Sequence, residues 1–520
     1  MVFKALLGLS SVGLLDSFSG NAIQDTIWEG LRGGYDYVGN PTKTSLFTKV
    51  TTTIFVISLT KVLFSTFMKM RRSKKVSSEI NKKNIRLFDK LESFETPKEN
   101  STQFTTFDDT KIIESFRKKD ITPVDFHDGC QYKAIQCLSK GYINEISFDS
   151  DVTAILAESN ISSEYPIAGL LAAVDEHFDI QDIHKAYKKK VKKAEKNSGI
   201  IEIIKSHFIV PMVSTNSKPT PCRLQSKRNL FGDSCGTIAA LLDKYVSIGI
   251  GRDVNGSLRL NATNSNHYCL VSKKAYSTAG LDVEDFPTSA MVGIVTRDIE
   301  TLDKLNFALL DKNNRKLDPN AFVKQNENED FDEELTIGYF SQFIDGKPEF
   351  LSTSQTKSFQ GIIDTLSKSK QINMVDFICE RPSKKDKKFF DAFKGKESKE
   401  SSDEYAKDFL KIWRDLEVDF VITPVSSIPL PKNVSKETIN SAYDFLNIAN
   451  KTGLSAGTLP LYPEEDSMPE NIPESLAKRF KDELVDVKGL YSGIQILGCC
   501  FDEIRLVKLM KIIDSKKPSN

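Results

Sequence analysis

Residues 231–259, FGDSCGTIAALLDKYVSIGIGRDVNGSLR, constrain the fold of this chain more than any other stretch. Two serines in glycine-flanked turns, Ser234 and Ser257, bracket one amphipathic helical segment and the short apolar run after it. Glycine has no Cβ, so the chain around such a serine can turn sharply and approach a neighbour closely. A serine on such a turn can be presented to a substrate with backbone N–H groups aimed at a developing oxyanion. FGDSCG also fits a simpler duty. Asp233 or Ser234 would cap a helix running to about Tyr245 by accepting N–H bonds from its first turn. Ser257, placed after GIGRD, is the residue that capping leaves unexplained.

The rest of the chain reads as α/β. From about Ile121 to Ile513, helical stretches alternate with short β-branched runs at 209–213, 336–339 and 420–423. A segment rich in Lys, Ser and Glu at 384–403 reads as a surface loop, and 76–120 as a polar linker with a short helix near 78–91. Lysine plus arginine equals aspartate plus glutamate at 71 each, so no global charge points to nucleic acid. Basic clusters lie at 69–83 and 185–196 and an acidic one at 326–334, and the 185–196 cluster reads as a solvated helix face. Eight cysteines without CxxC or CxxH spacing, and five histidines without an HExxH or HxH pair, predict neither a metal nor a disulfide framework. No cofactor is expected.

The layout of 231–259 resembles the signature of the amidase signature family, GGSSGG, a helix, then GxGxDxGGSxR. The resemblance continues in order along the chain. Residues 166–180, PIAGLLAAVDEHFDI, are similar to PLxGxPVAVKDNxDV, and VPMVSTN at 210–216 to the strand that follows. VGIVTRDIETL at 292–302 resembles GPMxRDVxDL, and DFVITP at 419–424 resembles DVVLTP. TGLSAGTLPL at 452–461 and GLYSGIQILG at 489–498 complete the series, with Ser455 and Tyr491 where the family has proline. The resemblance implies one large α/β domain over 121–515 with a central twisted mixed sheet covered by helices. It also implies a serine–serine–lysine mechanism. Ser257 would be the nucleophile and Ser234 the bridge. Backbone N–H groups of Val254, Asn255, Gly256 and Ser257 would form the oxyanion hole, and Asp253 and Arg259 would brace the loop.

The lysine is missing. Its position in LLAAVDEHFDI is held by Asp175. A carboxylate, with an ordinary pKa near ~4, is a weak base for an alcohol proton, and burial raises that value only by favouring the protonated form. Its side chain is also several bonds shorter. Phe231, Cys235 and Asn255 replace family glycines, whose absence narrows the space for a tetrahedral intermediate. The stretch after Arg259, LNATNSNHYCLVSKK, has lost the usual Pro, both Gly and Lys-Pro-Thr. The connection from Asn216 to Phe231 is short for an active member. Together these changes predict a pseudoamidase that binds or scaffolds. The second expectation is a working hydrolase of lipid-derived amides or esters, with Ser257 as nucleophile and Asp175 or His177 as a rewired base.

Residues 50–68, VTTTIFVISLTKVLFSTFM, contain eleven apolar residues, seven Ser or Thr and Lys61. Their apolar insertion energy of roughly 0.3–0.6 kcal/mol each nearly cancels the cost of one lysine, about 2.5–3.5 kcal/mol. Lys61 lies off centre and can snorkel. Lys69, Arg71, Arg72, Lys74 and Lys75 follow as a stop-transfer cluster that places the large carboxy-terminal part in the cytosol. The expected organisation is an amino-terminal segment (1–49), a transmembrane helix (50–68), a basic and polar linker (69–120) and the amidase-like domain (121–515). This layout resembles membrane-bound fatty acid amide hydrolases. The expected membrane is the mitochondrial outer membrane or the endoplasmic reticulum, and the expected partner a protein of unknown identity. A core or in-plane amphipathic helix is the alternative for 50–68.

Overall fold

The computed structural model describes residues 220–517, apart from 233, 245, 274, 279–289, 311–330, 332, 345–350, 383–398, 433–435 and 467–480. It also describes 145–147, 170–175, 210–215 and a few residues between 111 and 120. All of these belong to the unit Leu87–Asn520. The expected membrane span at 50–68, the short helix near 78–91, Asp233 and His177 lie outside the described residues. Among the described residues no helix is long and apolar enough to cross a membrane.

The chain opens with β1 (Glu145–Ser147), β2 (Leu171–Asp175) and β3 (Val210–Thr215), then the hairpin of β4 (Thr220–Cys222) and β5 (Gln225–Leu230). The diagnostic stretch follows as α1 (Cys235–Leu242), β6 (Ile248–Val254) and α2 (Ser257–Asn264). Next come β7 (Tyr268–Ser272), α3 (Ala275–Thr278), β8 (Ala290–Thr296), α4 (Ile299–Leu309) and β9 (Leu335–Tyr339). The remainder is α5 (Thr353–Leu366), β10 (Ile372–Asp376), α6 (Lys399–Asp415), β11 (Phe420–Pro424) and α7 (Lys436–Thr452). It closes with β12 (Ser455–Pro463), β13 (Tyr491–Gly498) and α8 (Glu503–Ser515).

Eleven strands form one mixed sheet in the order β1-β3-β2-β6-β8-β7-β12-β13-β11-β9-β10. Parallel pairs join β3, β2 and β6 at one end and β11, β9 and β10 at the other, while antiparallel pairs fill the middle. The fold class is therefore the expected α/β with a large mixed sheet. Central strands such as IGIGRDV of β6 and FVITP of β11 are buried almost end to end, as strands covered on both faces must be.

Two local expectations change. The first helix stops at Leu242 rather than near Tyr245, because Lys244 takes the left-handed conformation (φ 58°) and breaks the helical run. Residues 399–403, expected in a surface loop, begin α6. Their Lys, Glu and Ser content masked the start of a helix whose buried Tyr405, Phe409 and Trp413 repeat at i, i+4 and i+8.

Candidate active site

Strand β6 delivers the chain to a sharp corner. Asn255 (φ 54°) and Gly256 (φ 92°) both take left-handed backbone, and Ser257 then starts α2. Asparagine tolerates that region better than most residues. Gly256 has no alternative, since an added Cβ would fall 2.3 Å from Leu446 Cβ on α7. All eight residues of α2 are buried although its sequence, SLRLNATN, is largely polar. A polar helix in the middle of a fold must find partners for its side chains.

Asp253 meets that need at the start of the helix. The first four N–H groups of a helix lack intrahelical acceptors, here those of Gly256, Ser257, Leu258 and Arg259. Asp253 Oδ1 accepts from Leu258 N at 2.9 Å and Arg259 N at 3.2 Å, which leaves the donors of Gly256 and Ser257 beside the serine hydroxyl. Its other oxygen accepts from Arg259 Nε at 3.0 Å and Nη2 at 2.7 Å, and both side chains are fully buried. Arg259 donates further to Gln495 on β13 and to Asn450 on α7. Asn450 Nδ2 in turn donates to the Asp253 carbonyl at 2.8 Å. The turn is thus tied to residues almost 200 and more than 230 positions away. Val254, the third residue expected in the oxyanion loop, ends β6 opposite Ala290.

Ser234 is not the cap that FGDSCG suggested. It occupies the N-cap position of α1 without accepting an N–H bond. Its Oγ instead donates to the Arg252 carbonyl at 2.8 Å, packed where a Cβ on Gly251 would come within 2.5 Å of it. Gly232 (φ 93°) crosses the other serine so closely that an added Cβ would lie 2.5 Å from Ser257 Cβ and 2.7 Å from its Oγ. Phe231 N and Asn261 Oδ1 hold this crossing at 3.3 Å, and the Cys235 thiol donates to the Gly232 carbonyl at 2.8 Å. Ser257 is 1% exposed, and its Oγ has no hydrogen-bond partner. The two serines share one site, but no hydrogen bond joins them.

Asp175 is the last residue of β2, its Cα opposite Ser214. On the other side β2 pairs with β6 up to Val174–Ile250, so Asp175 comes one step further, level with Gly251 and hence with Ser234. Position 175 thus ends β2 beside β6, the strand that runs on to the turn before Ser257.

The fourth wall is α7, which motif reasoning missed. Tyr443, Asn447 and Asn450 recur at i, i+4 and i+7, with Leu446 beside them against Gly256. Burial first, then the nearby Cys235 and Asp253, pushes the Tyr443 phenol well above its ordinary range. One signal was available: asparagine is a poor residue for a helix interior, so Asn447 and Asn450 in mid-helix imply tertiary duties.

No protein-family model and no curated protein sequence matches this chain. Solved structures do. The fold is that of the amidase-signature enzymes. Fatty acid amide hydrolase is similar over 84% of this chain and 90% of its own, at 14% identity and a TM-score of 0.55. The allophanate hydrolase of Kluyveromyces lactis is similar over 80% of this chain and 74% of its own, at 17% identity and a TM-score of 0.56. A 6-aminohexanoate cyclic dimer hydrolase aligns over 80% of this chain and 98% of its own, with 14% identity and a TM-score of 0.54.

Proposed function

We propose that this protein is a catalytically silent amidase-like module, anchored by residues 50–68 and facing the cytosol, that works by binding rather than by hydrolysis. The observation that carries the proposal is the state of the two hydroxyls. Ser257 Oγ is buried with no partner, while Ser234 Oγ donates to the Arg252 carbonyl instead of bridging to it. A serine nucleophile needs a base within hydrogen-bond reach to take its proton. Upstream, the position level with Ser234 carries the carboxylic side chain of Asp175 where the amidase mechanism uses an amine. The preserved Asp253–Arg259 support then keeps a shaped site without its proton relay.

That same preserved helix start favours a second reading, a working serine hydrolase in which Asp175 or His177 supplies the base. An active-site-directed fluorophosphonate separates the two. The silent module stays unlabelled; covalent labelling that disappears in Ser257→Ala establishes the hydrolase. The anchor in the mitochondrial outer membrane or endoplasmic reticulum is tested by alkaline carbonate extraction, where release into the supernatant removes it. Pull-down of the solubilised protein would identify a protein partner.

A further inference from the structure

Ser257 lies against chain that is itself at the surface. Phe231 and Gly232, which follow β5 and precede α1, are partly exposed, while the serine they cross is 1% exposed. The crossing is tight, since a Cβ on Gly232 would fall 2.5 Å from Ser257 Cβ and 2.7 Å from its Oγ. No group the size of a methyl fits between them. A ligand that touches the hydroxyl from this side must first move Gly232.

Asn261 holds the crossing down. Its Nδ2 donates to the Phe231 carbonyl at 2.5 Å and its Oδ1 accepts from Phe231 N at 3.3 Å, so one side-chain amide takes both backbone groups of one residue. A neighbouring strand would give the same pairing; here a helix supplies it. Asn261 follows Ser257 by four residues on α2, which puts the holder and the covered hydroxyl on one helix face, a turn apart. Asparagine is a poor helix former, and its full burial is tolerated because Phe231 satisfies both ends of the amide. The Cys235 thiol adds a weaker bond to the Gly232 carbonyl at 2.8 Å. Two opposed costs are therefore balanced at this crossing. The closed position leaves Ser257 Oγ buried without a partner, which hydration on opening would relieve, while opening forfeits the Asn261 bonds. We infer that Phe231 and Gly232 form a latch that closes the Ser257 corner in the resting protein, and that Asn261 is the positioning residue that keeps it shut. This deepens the reading of a silent module by adding regulated access to the same site, and it rests on that reading for what the open site does, which is to bind and not to cleave.

The test measures access to position 257 by placing a thiol there. In the full-length chain carrying Ser257→Cys, alkylation by N-ethylmaleimide is followed by peptide mass mapping, with buried Cys269 and exposed Cys499 as internal references. With Asn261 in place, position 257 should react as slowly as Cys269. Adding Asn261→Ala removes two hydrogen bonds and should speed reaction at 257 about tenfold or more, with Cys269 unchanged. Gly232→Ala, whose Cβ cannot seat against position 257, should do the same with Asn261 intact. Reaction at 257 as fast as at Cys499 while Asn261 is present, unchanged reaction in both variants, or equal acceleration at Cys269 overturns the latch. Fluorophosphonate treatment of Asn261→Ala with Ser257 retained tests the other reading separately. Labelling there would overturn the silent module and leave the latch standing, whereas no labelling with position 257 open supports both.

Discussion

Replacing Arg259 by Met tests how the site is held together. Arg259 and Asp253 are both fully buried and joined by two hydrogen bonds, from Nε at 3.0 Å and Nη2 at 2.7 Å. Removing the guanidinium leaves the Asp253 carboxylate inside the protein with its two backbone donors but no opposite charge. Breaking one side of a buried pair in this way costs about 3–5 kcal/mol. The oxygens of Gln495 and Asn450 lose a donor as well, at up to about 1–3 kcal/mol each. These costs share partners and will not add in full, so a loss of about 4–6 kcal/mol is expected. Against a typical stability of about 5–15 kcal/mol, the variant should sit near the edge of folding. Urea unfolding of the full-length chain, followed by circular dichroism, measures the loss. The double variant Asp253→Asn, Arg259→Met, which removes the stranded charge, should recover at least about 1.5 kcal/mol relative to Arg259→Met alone. A single-variant cost below about 1 kcal/mol, or strictly additive costs in the cycle, would refute this account.

Three further outcomes are expected. Burial pushes the Glu464 carboxyl up from 4.5 to about 7 despite the Ser352 hydroxyl at 3.1 Å. Its raised folded value means that stability falls as pH climbs from about 4.5 to about 7 and then stays low, by roughly 3 kcal/mol in all. Glu464→Gln should abolish that fall, so equal pH dependence in the two proteins by urea titration refutes the assignment. Gly256→Ala forces a Cβ to within 2.3 Å of Leu446 Cβ at a φ of 92°. It should cost about 2 kcal/mol or more, and adding Leu446→Ala should relieve only the steric part, leaving the backbone strain visible in a thermal melt. Arg228 is completely buried, donating to the carbonyls of Leu430 at 2.7 Å, Glu483 at 2.6 Å and Val485 at 2.6 Å. Arg228→Met should therefore speed amide hydrogen exchange in 225–230 and 483–488 while leaving β6 and β8 protected; uniform exchange across all four segments would show that no local clamp exists.

The amino-acid sequence went far at the diagnostic stretch because its signals are local. Turn glycines, the apolar run of β6 and the helical period of α1 all act within a few residues, so α1, β6 and the turn that delivers Ser257 were legible, while the polar helix α2 was not. The same proximity misled at Ser234. A serine before a helix looks like a cap from its neighbours alone, and only β6 lying alongside supplies the Arg252 carbonyl that accepts its hydrogen bond. Asp175 is different: its neighbours show only a short apolar strand ending on a single charged residue, and the expectation of a lysine there came from the resemblance along 166–180.

What the chain by itself determined was which turns present hydroxyls and that a short apolar strand ends on the acid Asp175. Tertiary structure alone decided that α7 closes the site, that Gln495 and Asn450 share the Arg259 guanidinium, and that Asn255 and Asn447 are buried with unpaired amides. The physical reason is distance along the chain. Backbone preferences and side-chain periods report only on neighbours, whereas partners some 190 and 236 positions apart leave no local pattern until the sheet has brought them together.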